Sequence, residues 1–542
     1  MKLLRVKISA AETCGGLLDG FDLQFRSAAV DYLNFEPLCL VGANGTGKSQ
    51  LMQVLAEMFQ STIHACNTKE ERSETNPNLQ FELEYLIRPQ PSDDVVHVRV
   101  SRTVVGKQRP KLVVHVKDKL DWKNCVLDSP ATHKLLPIKI VGYTSGDNET
   151  LSLPFLASRS GYAEDVSHLA LDDPGSTSTV TDTRLMLIDY GTHLEVLVAN
   201  LLLGSAQQRK ALLKDAEVED LHSFRCIVQL NHSAAPKISR GKAATSGRRG
   251  VQLTRELEGY LDQLRCCSCC DNYDKETETY TFDYWICEQT REAFGFFWKS
   301  AFDLYTSLHR LAMLNDLAIP KVARERSRKD VEDRRFAARL PEPQDEDKIF
   351  RFQSVSFVTE GGKPIVEYVS LSDGEHQLIQ LLGTFCMLSS PNILFLLDEP
   401  ESHFNPLWRV KFLSLIKDLP TANGVRAASG LAAQQDCLLT THAPFVPSDM
   451  PRDRVLIFSK VNGKATVRNP DIETYGTNFD DVLEKCFGVR PSISDQPKEE
   501  IAKLMRSDDP KEVEAGIQRL GNSVEKVFLA DKLRQLQKKQ GN

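Results

Sequence analysis

Residues 40–49 read LVGANGTGKS and lie between an apolar segment, PLCLV at 37–41, and a helical pattern, LMQVLAEMF at 51–59. The order of strand, glycine-rich loop and helix is the setting in which a phosphate-binding loop occurs. The glycines at 42, 45 and 47 allow the backbone to curl so that its N–H groups point at an anion, and the helix N-terminus adds a partial positive charge. The stretch therefore predicts a nucleotide phosphate site rather than an ordinary glycine-rich turn.

Two side chains of this loop have expected roles in nucleotide chemistry. Lys48 is expected to reach the β- and γ-phosphates, and Ser49 is expected to ligate Mg²⁺. The pattern thus predicts ATP and Mg²⁺ as cofactors. The loop residues expected to contact the nucleotide are Gly42, Asn44, Gly45, Thr46, Gly47, Lys48, Ser49 and Gln50.

Length and composition limit the possible classes of protein. The chain has 542 residues, 41% of them hydrophobic and 26% charged, as expected for a globular protein of roughly two or three domains. Its formal net charge of −7 gives no overall attraction to nucleic acid, so only local basic patches are candidates. We find neither a signal-peptide core nor an apolar window of ~20 residues, and we expect a cytoplasmic protein without a membrane partner. Its 13 cysteines should then stay reduced.

Alternating apolar and polar residues predict the strands of the N-terminal third. Segments 3–8 and 21–25 should pair beside the loop, and 81–87, 95–103 and 111–116 should form an antiparallel meander. Segment 137–143 reads as a buried strand, and the polar TSGDNE at 144–149 follows it. A polar loop at a strand's carboxyl end is where α/β sheets place ligand-contacting groups.

From about 183 to 340 the pattern becomes helical, with long stretches at 184–203, 253–264 and 291–317. A loop at 234–250 and a run at 321–339 are rich in Lys and Arg. The second run also holds several acids, so a solvated helix face explains it as well as a DNA contact does.

A cysteine cluster, CCSCC at 266–270, contains two overlapping C-x-x-C spacings. Zinc needs four convergent ligands, and only Cys287 and His309 follow at a distance. A helix packed with small thiol side chains is the favoured interpretation, with a zinc site as the alternative.

Two further motifs belong to the predicted nucleotide site. Residues 369–382, VSLSDGEHQLIQLL, predict a second helix N-terminus, with Ser372 among the capping residue types. Residues 392–401, NILFLLDEPE, predict a buried parallel strand that ends in two carboxylates. We expect Asp398 to hold Mg²⁺ and Glu399 to act as the base or to orient the attacking water. A helix at 406–419 and a strand at 436–441 follow, and then His442.

These four motifs, in this order, resemble the ATP-binding-cassette ATPases, in the branch with the chromosome-maintenance, Rad-fifty-like and overcoming-lysogenization-defect proteins. The resemblance covers about residues 1–150 and 345–460. It implies an α/β fold, with a P-loop NTPase domain of the ABC type, an antiparallel β subdomain and an inserted helical domain. It also implies a head-to-tail dimer that sandwiches ATP, in which Ser372 and Gly374 match the signature that faces the partner's γ-phosphate.

The same resemblance assigns the remaining site residues. Glu399 matches the catalytic glutamate and His442 the switch histidine of that family. This chain departs from the family pattern at Asp373, where the first signature glycine is usual, and at Asn405, where an aspartate is common. The glutamine loop has no clear match, and Asn148 with Glu149 is the candidate.

The pattern divides the chain into four regions. They are the N-terminal half of the ATPase lobe, a mainly helical insertion, the C-terminal half of the lobe and a helical partner-binding region, at 1–150, 151–344, 345–460 and 461–542. The last region shows no carboxylate series of a metal-dependent nuclease, because its acids at 480, 481 and 484 lie in an amphipathic helical pattern. Segment 498–539 predicts helices with apolar stripes and no obvious core to cover.

Short segments, including YTSGDNE and GTNFDDVLEKCFGV, are similar to the PtuA ATPases of Septu anti-phage systems and of their retron-associated forms. That resemblance implies an ATPase that controls a separate HNH nuclease of the PtuB type, with a retron reverse transcriptase and its DNA as further partners. The alternative is a DNA-clamping ATPase of the chromosome-maintenance or Rad-fifty kind. A transporter motor is the weaker third interpretation.

Overall fold

The computed structural model describes residues 1–12, 15–73, 76–92, 94–104, 110–146, 149–172, 177–216, 218–232, 249–332, 343–359, 361, 365–421, 424–428, 430–489 and 494–540. Its strands are β1 (Lys2–Ala10), β2 (Phe21–Gln24), β3 (Leu38–Gly42), β4 (Gln80–Ile87), β5 (Val96–Thr103), β6 (Lys111–Asp118), β7 (Asp121–Asn124), β8 (Lys139–Thr144), β9 (Leu185–Ile188), β10 (Val218–Gln229), β11 (Cys270–Asp274), β12 (Thr279–Trp285), β13 (Phe350–Thr359), β14 (Ile365–Glu367), β15 (Ile393–Asp398), β16 (Pro420–Thr421), β17 (Gly424–Val425), β18 (Asp436–Thr440), β19 (Val455–Val461) and β20 (Lys464–Arg468).

Its helices are α1 (Lys48–Cys66), α2 (Pro130–His133), α3 (Glu149–Arg159), α4 (Tyr162–Asp172), α5 (His193–Leu203), α6 (Ala206–Leu213), α7 (Arg255–Cys267), α8 (Glu288–Phe297), α9 (Ala301–Met313), α10 (Lys321–Glu332), α11 (Asp373–Met387), α12 (Pro406–Lys417), α13 (Phe445–Ser448), α14 (Phe479–Phe487), α15 (Asp495–Arg506), α16 (Pro510–Arg519) and α17 (Val524–Gln540). The fold is mixed α/β, with several sheets and many helices, and is consistent with a P-loop ATPase domain.

A seven-stranded sheet with the order β20-β19-β3-β18-β15-β8-β9 forms the centre of the fold. Its strands pair in parallel except β20, which pairs antiparallel with β19 at one edge. The carboxyl ends of β3, β18 and β15 therefore lie side by side at one edge of the sheet. Ligands bind at this edge in open α/β sheets, so the strand order alone places the predicted loop next to the predicted carboxylates.

The central sheet is covered on both faces, as parallel sheets usually are. Successive side chains of a strand point to opposite faces, and β3 follows this rule. Leu38 and Leu40 join one buried core, with α1 and the antiparallel sheet β2-β1-β4-β5-β6-β7, and this sheet confirms the predicted meander. Cys39 and Val41 join the other, with α5, α9, α11 and a second antiparallel sheet, β11-β12-β10-β13-β14.

The segment 151–344 contains strands as well as the helices expected of a mainly helical insertion. Its first strand, β9, is the outer strand of the central sheet and pairs with β8, so 184–203 forms a strand followed by α5 rather than one helix. Four consecutive apolar residues fit a buried strand as well as a helix, and only pairing decides between them. The segment 291–317 is divided between α8 and α9 because the Ser300 hydroxyl accepts from the Asp303 backbone N–H and begins a new helix.

The cysteine cluster does not form the expected helix. Helix α7 ends at Cys267, and Cys270 begins β11. Cys266, Cys269 and Cys270 are exposed, whereas Cys267 is buried. Within the described ranges no group of three or more His, Cys, Asp or Glu side chains is arranged to hold a metal ion.

A buried ion pair ties the start of the chain to the central sheet. Arg26 Nη2 lies 2.8 Å from Asp436 Oδ1, and both side chains are almost completely buried. The Leu3 backbone N–H donates to the same carboxylate, so β1 is fixed against β18. Removal of one partner from a buried pair leaves an uncompensated charge and typically costs 3–5 kcal/mol.

The C-terminal helices α15, α16 and α17 bury a small core of their own, formed by Ile501, Leu504, Val513 and Leu529. The apolar stripes that the sequence left without a core therefore cover one another. Helix α17 also carries Val524, Val527 and Phe528, which stay exposed at helical spacing. In the part of the chain that the structure describes, no helix is both long enough and apolar enough to cross a membrane.

We predict that Gly42→Ala destabilises the fold far more than Gly45→Ala. Both glycines have positive φ, but a Cβ at Gly42 would lie 2.3 Å from the Phe458 carbonyl oxygen, whereas nothing lies within 4 Å of one at Gly45. Gly45→Ala should cost about 1–2 kcal/mol, the usual strain of a left-handed residue. Gly42→Ala should exceed about 3 kcal/mol. Thermal unfolding without nucleotide measures both, and equal shifts would contradict the steric argument.

Candidate functional site

The loop between β3 and α1 has the backbone geometry of an anion cradle. Gly42, Gly45 and Gly47 have φ of 134°, 73° and 104°, which glycine adopts without strain. Helix α1 begins directly at Lys48, whose Nζ donates to the carbonyl oxygens of Gly42 at 3.0 Å and Ala43 at 3.1 Å. The lysine is buried beneath the loop, and burial lowers its pKa. The Lys48 ammonium group therefore lies against the backbone of its own loop.

Ser49 and Asp398 meet at the shared edge of the sheet. The Ser49 hydroxyl donates to Asp398 Oδ1 at 3.0 Å, and the Thr440 hydroxyl donates to the same oxygen at 2.5 Å. Asp398 is buried, and this burial raises its pKa above the ordinary value, although the two hydroxyls act against the shift. The three residues come from α1, β15 and β18, so the hydrogen bonds cross three neighbouring elements of the site.

Glu399 turns away from its neighbour and contacts His442. Its φ of 49° lies in the left-handed region, and its backbone N–H donates to the Thr440 hydroxyl at 2.9 Å. His442 Nε2 lies 3.2 Å from Glu399 Oε1, and both side chains are partly exposed. The hydrogen bond from His442 lowers the pKa of Glu399. Consecutive carboxylates therefore have different environments, one buried beside Ser49 and one ionised and accessible.

The oxygen atoms at this edge fit a magnesium ion. Mg²⁺ prefers hard oxygen ligands and usually takes only one or two from the protein, with phosphates and waters completing its shell. Ser49 and Asp398 supply a hydroxyl and a carboxylate that already lie within hydrogen-bond distance of each other. These two residues would hold the ion, and the ion would neutralise phosphate charge.

The helix that carries the signature residues begins at a well-formed cap. The Ser372 hydroxyl accepts from the Glu375 backbone N–H at 3.4 Å, and the Ser372 backbone N–H donates to the Glu375 carboxylate at 2.6 Å. A Cβ at Gly374 would lie 2.9 Å from the His403 carbonyl oxygen, so glycine allows α11 to approach the loop after the carboxylates. The Gln377 amide donates to the Ser145 carbonyl at 2.8 Å and ties α11 to the end of β8.

The structure brings some predicted residues together and leaves others apart. Ser49, Asp398, Glu399 and His442 share one edge of the sheet, whereas the Ser372 hydroxyl bonds Glu375 alone within the described ranges. Asn44 is exposed on the loop, while Thr46 is buried and bonds the Ala43 carbonyl, and Gln50 lies in the first turn of α1. Asn405 caps α12 by accepting from the Trp408 N–H. Asn148 lies outside the described residues, as does the side chain of Glu149.

Sequence reasoning missed two residues of this site. Thr440 bonds both Asp398 and the Glu399 backbone, whereas the sequence pattern predicts it only as part of a strand. Glu401 is buried, accepts a hydrogen bond from the Thr441 hydroxyl, and has its pKa raised to about 7 by burial. The signal for both was the pair of threonines directly before His442, because hydroxyls at a strand end beside carboxylates are natural donors.

We predict that Thr440→Val slows ATP hydrolysis by roughly 10- to 100-fold, the usual effect of removing a group that orients a metal ligand. Valine has a similar shape but cannot donate to Asp398 or accept from Glu399. Thr440→Ser keeps the hydroxyl and should stay within a few-fold of the unaltered protein. Steady-state phosphate release gives the rates, and thermal unfolding checks the fold. Equal activity of the Val and Ser variants would show that the Thr440 hydroxyl has no role in hydrolysis.

Comparison with known proteins is consistent with this geometry. Residues 290–449 match the family described as AAA domain, putative AbiEii toxin, type IV TA system. The matched residues include Ser372, Asp398, Glu399 and His442, whereas the phosphate loop at 42–49 lies before them. No curated protein matches the chain. The match and the site geometry together support an AAA-type P-loop ATPase domain that binds nucleotide.

Proposed function

We propose that this protein is an ATP-hydrolysing ATPase of the ABC type that regulates a separate nuclease in an anti-phage defence system. The observation that carries the ATPase assignment is the hydrogen bond between Ser49 and Asp398, with Glu399 and His442 at the same edge of the sheet. Residues of these types at these positions supply a phosphate cradle, a magnesium site and a polarised base.

Each residue has a distinct task in the proposed reaction. Lys48 exchanges its loop carbonyls for phosphate oxygens, and the loop N–H groups bind the remaining oxygens. Glu399 orients the attacking water and accepts its proton, since it is ionised and accessible. His442 holds the Glu399 carboxylate in place through their contact.

The proposed active form is a head-to-tail dimer. Two helix N-termini, those of α1 and α11, are candidates for phosphate contact, but no described hydrogen bond joins Ser372 to the phosphate loop of its own chain. An exposed, capped helix N-terminus is suited to an anion that a second subunit supplies. ATP bound by one subunit would then be closed by Ser372 and Gly374 of the other, as the ABC arrangement requires.

The proposed regulatory role requires a separate nuclease that the ATPase controls. Within the described ranges no cluster of acidic or histidine side chains is arranged to bind metal as a nuclease would, so we assign DNA cleavage to a separate HNH nuclease of the PtuB type. The description of the matching family names a putative toxin of a toxin–antitoxin system, which favours a defence role over chromosome maintenance. In retron-associated forms, the reverse transcriptase and its DNA would be further partners.

The ion pairs of helix α10 argue against the alternative function, that of a DNA-clamping ATPase. Its basic residues are partly neutralised, because Lys321 pairs with Glu325 and Arg326 pairs with Asp330 one helical turn away. Arg324 pairs with Glu164 of α4. Paired side chains of this kind favour a solvated surface over a continuous phosphate-binding stripe.

We predict that Glu399→Gln preserves ATP binding but slows hydrolysis by a factor on the order of 10² or more, because a positioned proton acceptor contributes about that much. Equilibrium binding of a fluorescent ATP analogue and single-turnover hydrolysis measure the two effects separately. Turnover within a few-fold of normal would assign the base to another residue, with His442 tested next.

We predict that Ser372→Arg prevents ATP-dependent dimerisation, because a bulky cation would replace the hydroxyl at the signature helix. Ser205→Arg is the matched control, since Ser205 also closes a capping box, at the start of α6. Both substitutions are made in the Glu399→Gln variant, which is expected to retain ATP. Light scattering with ATP should then show dimers for Ser205→Arg but not for Ser372→Arg. Association of the Ser372 variant as strong as that of the control would refute the head-to-tail arrangement.

We predict that the exposed stripe of α17 contributes to nuclease docking. Val524→Ser, Val527→Ser and Phe528→Ser, combined, should abolish co-purification with the HNH nuclease and protection against phage while ATP turnover stays normal. Leu120→Ser is the control, because Leu120 is also an exposed apolar residue, in the turn between β6 and β7. If the triple variant still co-purifies with the nuclease, the docking site is not on α17, and the 151–344 segment becomes the candidate. If the isolated ATPase cleaves DNA, the proposal that a separate protein carries the nuclease activity is wrong.

A further inference from the structure

A cavity of about 1390 Å³ lies beside the signature helix and apart from the phosphate loop. Its walls include Arg159 of α3, Glu195 of α5, His309 of α9 and Gln377 of α11. We call it the α3–α11 cavity. Small-molecule sites usually measure about 300–1,000 Å³, so this space can enclose a ligand larger than a single amino acid.

Two hydrogen-bond acceptors of the wall, Asp189 Oδ1 and Gln377 Oε1, are buried and have no donor among the described residues. A buried acceptor without a donor is unfavourable. A third acidic group of the wall, Glu195, is only 5% exposed. The Glu195 side chain responds to this environment, because burial raises its pKa to about 7.

Nitrogen atoms that line the same cavity also lack partners in the part of the chain that the structure describes. Among the described residues Arg159 forms neither a hydrogen bond nor an ion pair, although its charge acts on His309 and Asp316. His309 Nδ1 and Arg324 Nε are buried without partners there as well. The hydroxyl of Tyr305, which is buried, is near both sets, since its pKa responds to Glu195, Asp189 and Arg159. Unpartnered acceptors and the Arg159 cation thus line the same cavity.

The two sets together restrict the class of ligand. Inorganic phosphate would satisfy Arg159 but leave the acceptors bare, and a polyamine would do the reverse. A molecule with an anionic group and several N–H or O–H donors satisfies both. A mononucleotide has these features: a phosphate for the guanidinium, and ribose hydroxyls and base amino groups for the acceptors.

We propose that the α3–α11 cavity binds a mononucleotide, with its phosphate at Arg159 and its sugar and base donors at Asp189 and Gln377. This site is separate from the one at the phosphate loop and goes beyond the proposed ATPase. Its wall is tied to the signature helix, because the Gln377 amide donates to Ser145 and the Gln380 amide donates to the Asp189 carbonyl at 2.6 Å. A bound nucleotide therefore contacts the helix that begins at Ser372.

Isothermal titration of the full-length protein tests the proposal. The phosphate loop is first saturated with a fluorescent, non-hydrolysable ATP analogue, and AMP, GMP, CMP and UMP are then added in turn. We expect at least one of them to bind in the micromolar range without displacing the analogue. Arg159→Ala should weaken that binding at least tenfold and Arg159→Lys less. Arg265→Ala, at an exposed arginine of α7, should leave it unchanged.

Three results would overturn the proposal: no binding of any mononucleotide at millimolar concentration, displacement of the analogue by the probe, or equal affinity in the Arg159→Ala and unaltered proteins. Thermal unfolding shows whether the Arg159 variants fold. If they do not, Glu195→Gln decides, because it keeps the size of the side chain and removes its charge. It should change the affinity of the probe, and unchanged affinity counts against the site. The assay needs no ATP hydrolysis, so its outcome is independent of the catalytic assignment.

Discussion

The position of β18 between β3 and β15 is the constraint on which the candidate site depends. Parallel pairing fixes Leu438 beside both Leu38 and Leu396, and this register brings the ends of three strands level with one another. The Thr440 hydroxyl can then reach the Asp398 carboxylate and the Glu399 backbone together. If β18 were shifted by one residue, its side chains would exchange faces and Thr440 would leave both partners. The geometry of the candidate site is thus a consequence of sheet register.

Two consecutive carboxylates have different surroundings because the chain changes conformation between them. Asp398 ends a regular strand and stays buried beside Ser49, whereas Glu399 takes a left-handed conformation that turns its side chain towards His442. A non-glycine residue with positive φ is a local strain that persists only where surrounding contacts enforce it. Here the backbone bond from Glu399 to Thr440 supplies one such contact.

Local patterns predicted the parts of this molecule that local forces decide. The phosphate loop, the strand before Asp398 and the capped helix at Ser372 follow from glycine positions, apolar runs and capping residues within about ten residues. The strand β9 and the role of Thr440 depend on which strands become neighbours, and no short window contains that information. The C-terminal stripes show the same limit, since Leu504, Val513 and Leu529 cover one another only after three helices have assembled. Periodicity reveals an apolar face but not its partner.

The interleaved strand order has a consequence for synthesis on the ribosome. Arg26 and Asp436 are 410 residues apart, and β3 finds its neighbours only in β18 and β19. Strand β3 therefore stays without its neighbouring strands until nearly the whole protein has emerged. At translation rates of about 5–20 residues per second, that interval is tens of seconds. Unpaired strand edges and uncovered apolar surface of this kind favour aggregation during synthesis.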